Sequence, residues 1–189
     1  PNIEPDGFAS VEALMASREV HLAAVREMFT STDVFVFTLG LTEGWMSKAD
    51  GSVFPLAPGV VAGHYSADTH APINLSVYEV EMDMFDFLAR LRGVNPRVRV
   101  LLTVSPVPLI ATHSDRHVLA ATTYSKSVLR VAAETLSRSG DWIDYFPSYE
   151  IITGSFSRGV YYEDDAREVN ELGRERIEAA ARAVQAEDA

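Results

Sequence analysis

Residues 34 to 39 read Val-Phe-Val-Phe-Thr-Leu and run without a break into Gly40-Leu41-Thr42-Glu43. A strand with no polar alternation is one whose two faces are both covered, which points to a parallel sheet with helices packed on it. A strand that ends in glycine and small polar residues is how open α/β sheets build sites at their carboxyl edge. Val98 to Val104 repeats the pattern and is closed by Ser105-Pro106-Val107-Pro108. Trp142 to Phe146 is a third, shorter run, followed by Pro147-Ser148-Tyr149-Glu150.

Between these runs the hydrophobic period changes from continuous to helical. Ser10 caps a helix whose apolar positions are Val11, Leu14, Met15, Leu22, Val25 and Phe29, and Thr32-Asp33 breaks it. Ser76-Val77-Tyr78-Glu79 is a capping box, and Val77, Val80, Met84, Phe87, Leu88 and Leu91 follow at helical spacing until Gly93 and Asn95-Pro96. A third helix is predicted from about His117 to Ser137. A last one starts at Asn170 and reaches about Gln185, with Leu172, Ile177 and Val184 inward. Residues 44 to 75 hold four glycines, three prolines and two histidines and read as one long irregular segment. Alternating helix and strand implies a parallel sheet with helices on both faces. The chain opens on a helix, so the strand that usually begins such a domain is expected to be missing.

At 189 residues the chain accommodates one α/β domain with a full core. Its formal net charge of -11 and scattered arginines argue against nucleic acid and against anionic membrane as partners. Without cysteine it has no disulfide and no thiolate nucleophile. No apolar run approaches the ~20 residues of a membrane-spanning helix. The first residue is Pro1 rather than Met, which fits a domain truncated at its start.

In a parallel sheet the three strand ends share one edge. Gly40-Leu41-Thr42-Glu43, Ser105-Pro106-Val107-Pro108 and Ser148-Tyr149-Glu150 then line a shallow cleft with hydroxyls, backbone N–H groups and carboxylates, although Gly, Ser and Pro also punctuate ordinary turns. His113 follows the second strand and is the candidate general base, with solvated-loop histidine as the alternative. His117 begins the following helix. His64, Asp68 and His70 match no standard metal spacing, and no metal or cofactor is expected. His21 reads as packing or surface, and Lys126 as a salt-bridging or capping residue. Glu163-Asp164-Asp165 before Arg167-Glu168 is either a catalytic carboxylate or a helix-initiating charged segment. No phosphate-binding glycine loop and no G-x-S-x-G elbow occurs.

Four ordered motifs carry a family resemblance. They are Thr38-Leu39-Gly40-Leu41-Thr42-Glu43-Gly44-Trp45; Asn95-Pro96 leading to Thr103-Val104-Ser105-Pro106-Val107-Pro108-Leu109; Tyr124-Ser125-Lys126; and Tyr145-Phe146-Pro147-Ser148-Tyr149-Glu150. Together they resemble the GSCFA family, itself similar to the SGNH, or GDSL-like, hydrolases. The resemblance implies a three-layer α/β/α fold, flavodoxin-like, and serine-based hydrolysis or acyl transfer on an ester of a polar or saccharide substrate. It implies no cofactor. Gly40-Leu41-Thr42-Glu43 stands where SGNH enzymes carry Gly-x-Asn-Asp, on the oxyanion side, and Asp165-Ala166-Arg167-Glu168 where they carry Asp-x-x-His. Gly40, Thr42, Glu43, Ser105 and Tyr149 are thus the expected substrate-binding residues, and Asp165, Glu168 and His113 the expected catalytic ones.

Three departures qualify that expectation. The Gly-Ser-Cys-Phe-Ala sequence with its nucleophilic serine does not occur in these residues. Thr42 replaces the asparagine, and Glu168 replaces the histidine. A carboxylate is a poor match for activating serine at neutral pH unless burial changes it, and losing a triad member costs several orders of magnitude in rate. The expectation is therefore an esterase or acyltransferase domain that is inactive as this isolated chain, with a non-catalytic saccharide or small-ligand module and a partner-binding domain as the alternatives.

Overall fold

Five α-helices and six strands follow one another in the computed structural model, which describes residues 6–187 other than 62, with side chains to 183. They are α1 (Val11–Ser31), β1 (Val34–Leu39), β2 (Glu43–Ser47), β3 (Val53–Phe54), β4 (His70–Asn74), α2 (Val77–Val94), β5 (Arg99–Val104), α3 (Val118–Ser137), β6 (Ile143–Tyr145), α4 (Ser148–Thr153) and α5 (Glu171–Glu187). The parallel sheet has the order β1-β5-β6, with Val34 opposite Arg99 and Val100 opposite Ile143. The fold is a mixed α/β one, built on this small parallel sheet.

One face of the sheet carries the core. Phe35, Phe37 and Leu39 of β1 alternate toward it, as do Val100, Leu102 and Val104 of β5 and Ile143 of β6. They meet Val80, Met84, Leu88 and Leu91 of α2, and Val128, Leu129, Ala132, Ala133 and Leu136 of α3. Burying such a side chain stabilises by roughly 1.5–3 kcal/mol. The capping box of α2 forms as its sequence requires: Ser76 Oγ accepts from Glu79 N at 3.3 Å, and Glu79 accepts from Ser76 N at 2.8 Å.

The opposite face departs from the sequence expectation. Val34 is 53% exposed and Val36 60%, so the continuous apolar run of β1 is covered on one side only among the described residues. Arg99 and Asp144 form a surface ion pair on this bare face, at 3.0 Å. α1 forms and is capped by Ser10, but none of its residues is buried. It docks through its carboxyl end, where Phe29 packs on Phe35 and Phe87 and Asn95 Nδ2 donates to Phe29 O at 3.2 Å and Thr32 O at 2.8 Å. Helical spacing would set the apolar positions Val11, Leu14, Met15 and Leu22 against a core; among the described residues they are instead exposed.

A second correction concerns residues 44 to 75. The two ends of the segment and a short middle piece form an antiparallel sheet, β3-β2-β4, with Trp45 opposite both Phe54 and Pro72, while the described residues of 55–69 are irregular as expected. Gly51, at φ +75°, lets the chain reverse between β2 and β3, which Ser47 N closes on Ser52 O at 2.8 Å. Pro72 is tolerated because β4 is an edge strand. At the far end, Asn170 Oδ1 accepts from Gly173 N at 3.0 Å as predicted for the start of α5, although Leu172 is 53% exposed. Val184 lies outside the residues whose side chains are described.

Candidate functional site

The strand ends do share an edge, and a set of specific bonds knits them together. Lys126 Nζ, on α3, donates to Gly40 O at 2.8 Å. Ser125 Oγ, one residue earlier, accepts from Thr42 N at 2.9 Å. Thr42 Oγ1 donates in turn to Asn74 Oδ1 at 2.6 Å, anchoring the end of β4 to the same loop. Ser105 N donates to Leu39 O at 2.9 Å, and Ser105 Oγ accepts from Val107 N. Tyr162 OH reaches across to Pro106 O at 2.9 Å and ties the segment before α5 to the loop after β5. Burial, and then the neighbouring Tyr149, raise the Tyr162 phenol above its ordinary range.

Thr42 is 1% exposed, and its one hydroxyl proton is committed to Asn74. Gly40 is exposed, and a Cβ built on it would meet nothing within 4 Å. The open approach to this loop is therefore at Gly40 and the backbone beside it.

Lys126 is neither a salt bridge nor a helix cap. It is 2% exposed, and among the described residues its hydrogen-bond partner is the neutral Gly40 carbonyl alone. Burial pushes its ammonium down to about 8 from an ordinary 10.5. Helical periodicity could have exposed it: Ala121, Ser125, Leu129, Ala132 and Leu136 mark the inward face of α3, and Lys126 adjoins it.

The third strand end is structural. Ser148 Oγ bonds Thr103 Oγ1 and donates to Val104 O. Glu150 accepts from Arg130 Nε at 2.6 Å and from Tyr145 OH at 2.8 Å, and the Arg130 guanidinium lies 4.2 Å from the Tyr145 ring centre. Burial, and the hydrogen bond to Glu150, push the Tyr145 phenol far up. Tyr149 packs half-buried against the core.

Glu43 and His113 come together. The Glu43 carboxylate accepts from Thr112 Oγ1 at 2.6 Å and from His113 N at 3.2 Å, joining the start of β2 to the loop after β5. The His113 ring is exposed and stands edge-on to Trp45 at 5.1 Å. Beside this clasp is a cavity of about 520 Å³ whose walls include Trp45, Phe54, Leu56, Ile73, Leu109 and Ile110. That volume falls within the roughly 300–1,000 Å³ of ordinary ligand sites. Trp45, Thr112 and Leu109 were not singled out as site residues in the sequence; the Trp45–His113 pairing depends on a strand hidden in what reads as loop.

Asp165 and Glu168 form a turn of their own. Asp165 Oδ1 accepts from Arg167 N at 2.8 Å and Glu168 N at 2.9 Å, with Ala166 at φ 55° between them. These amides hold the exposed Asp165 carboxyl below its usual range. Glu163 N donates to Glu168 O and closes the turn. No hydrogen bond among the described residues links Asp165 or Glu168 to His113. His70 accepts from Ser66 N through Nδ1 and packs near Phe54 and Tyr65, while His64 and His21 are exposed. Among the described residues no three metal-ligating side chains cluster, and no helix is long and apolar enough to cross a membrane. His117 accepts from Leu119 N and caps α3.

No curated protein matches the chain. Its sequence does match a family description over residues 6–180, a span that takes in the edge loops, the Lys126 and Asn95 anchors and the Asp165 turn, and on that match the chain belongs to the GSCFA family.

Proposed function

We propose that the edge bearing Gly40, Glu43 and His113 is the substrate side of an SGNH-like ester hydrolase or acyltransferase acting on an ester of a polar or saccharide acceptor. The observation that carries this reading is the Glu43 clasp, which fixes the loops after β1 and β5 against each other beside a cavity. Fixed loops at the carboxyl edge of parallel strands are where α/β folds place chemistry. In this reading a further strand beside β1 brings the nucleophilic serine, and helices over the bare face complete three α/β/α layers. His113 takes the serine proton, and Glu168 is the alternative base. Asp165 orients or acidifies, and backbone N–H groups by Gly40 hold the oxyanion, since the Thr42 hydroxyl proton is already in use. Ser105 and Tyr149 contribute to the floor of the cleft.

Hydrolysis of para-nitrophenyl acetate tests the reading, measured on a polypeptide extended upstream of Pro1. Activity is expected to fall by a hundredfold or more when the upstream serine is replaced by alanine, and by a similar factor for His113→Ala. Activity that survives loss of that serine, or an extended chain without activity, overturns it. The alternative is a non-catalytic saccharide or small-ligand module on the same scaffold. It is favoured by one observation: the Thr42 donors are both consumed internally, as in a loop that holds shape rather than charge.

A further inference from the structure

The cavity beside the Glu43 clasp is chemically lopsided. Trp45, Phe54, Leu56, Ile73, Leu109 and Ile110 give it apolar walls, and its polar groups gather where Glu43 meets Thr112 and His113. Its rim is apolar too, with Leu56 57%, Val60 72% and Ile110 77% exposed. A cavity with greasy walls and one polar corner suits an elongated apolar group that ends in a polar function. The polar corner carries a carboxylate, so it repels an anionic end and admits a neutral one.

We propose that this cavity binds the acyl chain of a neutral carboxylic ester or amide, with the chain among the apolar walls and the polar end at the Glu43–Thr112–His113 corner, where Thr112 Oγ1 and His113 N are already bonded to Glu43 and the exposed His113 ring is the group left to meet the carbonyl. This rests on the ester reading only for the identity of the ligand, because binding needs no turnover. It also gives that reading a direction. A neutral ester carries no charge for Glu43 to repel, whereas the carboxylate left after hydrolysis is disfavoured there, which promotes release of the acid.

The chain has two tryptophans, so a Trp142→Phe background leaves Trp45 as the one indole reporter on the cavity wall. Butanamide, hexanamide and octanamide, which are neutral and not readily hydrolysed, are titrated against its fluorescence. A saturable change is expected, with affinity rising about fourfold for each added methylene. Octanoate is expected to bind at least tenfold more weakly than octanamide, and Glu43→Gln to narrow that gap. Ala57→Phe, which fills the cavity from the β3 side, is expected to lower octanamide affinity at least tenfold. Val60→Phe on the exposed rim keeps the test in force should Ala57→Phe not fold. No saturable change, an affinity independent of chain length, equal binding of acid and amide, or unaltered binding in both filled variants overturns the proposal. Amide binding by a chain whose upstream-extended form hydrolyses no ester sinks the catalytic reading and leaves the cavity assignment standing; hydrolysis indifferent to acyl length does the reverse.

Discussion

α1 and α3 are nearly the same length, 21 and 20 residues, and both are capped at their amino ends by side chains. Yet α3 buries eight residues and α1 none. The local signals of the two helices are alike; their neighbours are not. α3 lies on α2, β5 and β6, whereas α1 touches the rest through Phe29 and the Asn95 side chain. Caps and periodicity make a helix, and only a facing surface makes it part of a core.

The comparison is broken most directly by truncation. Leu136→Ala, at a position with 0% exposure, is expected to cost about 2–5 kcal/mol by urea denaturation. Leu14→Ala on α1, 45% exposed, should change stability by no more than about 0.5 kcal/mol. If the two cost the same, α1 is covered in solution and the contrast fails.

Lys126 sharpens it through pH. Its ammonium titrates near 8 when folded and at the ordinary 10.5 when unfolded. Between those values the unfolded chain holds more protons, so stability rises with pH. The cost of burying the charge, on the order of 3 kcal/mol, is fully present below about pH 8 and fades above it. The raised Tyr145 phenol acts oppositely once pH passes its ordinary 10.0, so the window for measurement is pH 8 to 10. Lys126→Met should flatten the rise in melting temperature across that window. At pH 7 the variant should stay within about 2 kcal/mol of the parent, because the relieved burial offsets the Gly40 carbonyl left without its donor.

Asn95→Ala removes both tethers of α1 and is expected to cost about 1–3 kcal/mol, with amide exchange accelerating along α1 before α3. The smallest effect is at the caps. Ser76→Ala should cost about 1 kcal/mol in global stability, while Ser10→Ala should lower helical circular dichroism with little change in the unfolding midpoint.

These differences mark what was legible in the sequence. The three parallel strands, the Ser76 box, the Asn95 stop and the Asn170 cap follow from local rules, and the structure has them within a residue or two. β2, β3 and β4 were hidden because Gly44, Gly51 and Pro72 carry loop chemistry into a short sheet, where edge position and cross-strand partners decide. Site residues divided in the same way. The Gly40 and Ser105 loops are visible as strand ends. The Glu43–Thr112 clasp joins residues far apart in the chain, and the buried Lys126 breaks the rule that places lysine outside.

The bare side of β1 has a colloidal consequence. Val34 to Leu39 contains no lysine, no proline and no charge, and among the described residues one of its edges has no partner strand. Such an edge is a template for another chain's strand. What opposes pairing between copies is long-range repulsion from a net charge of -11, which acid neutralises and salt screens. Repulsion between copies thus rests on the carboxylates, and the clouding point in acid or high salt reads out how well that one strand is shielded.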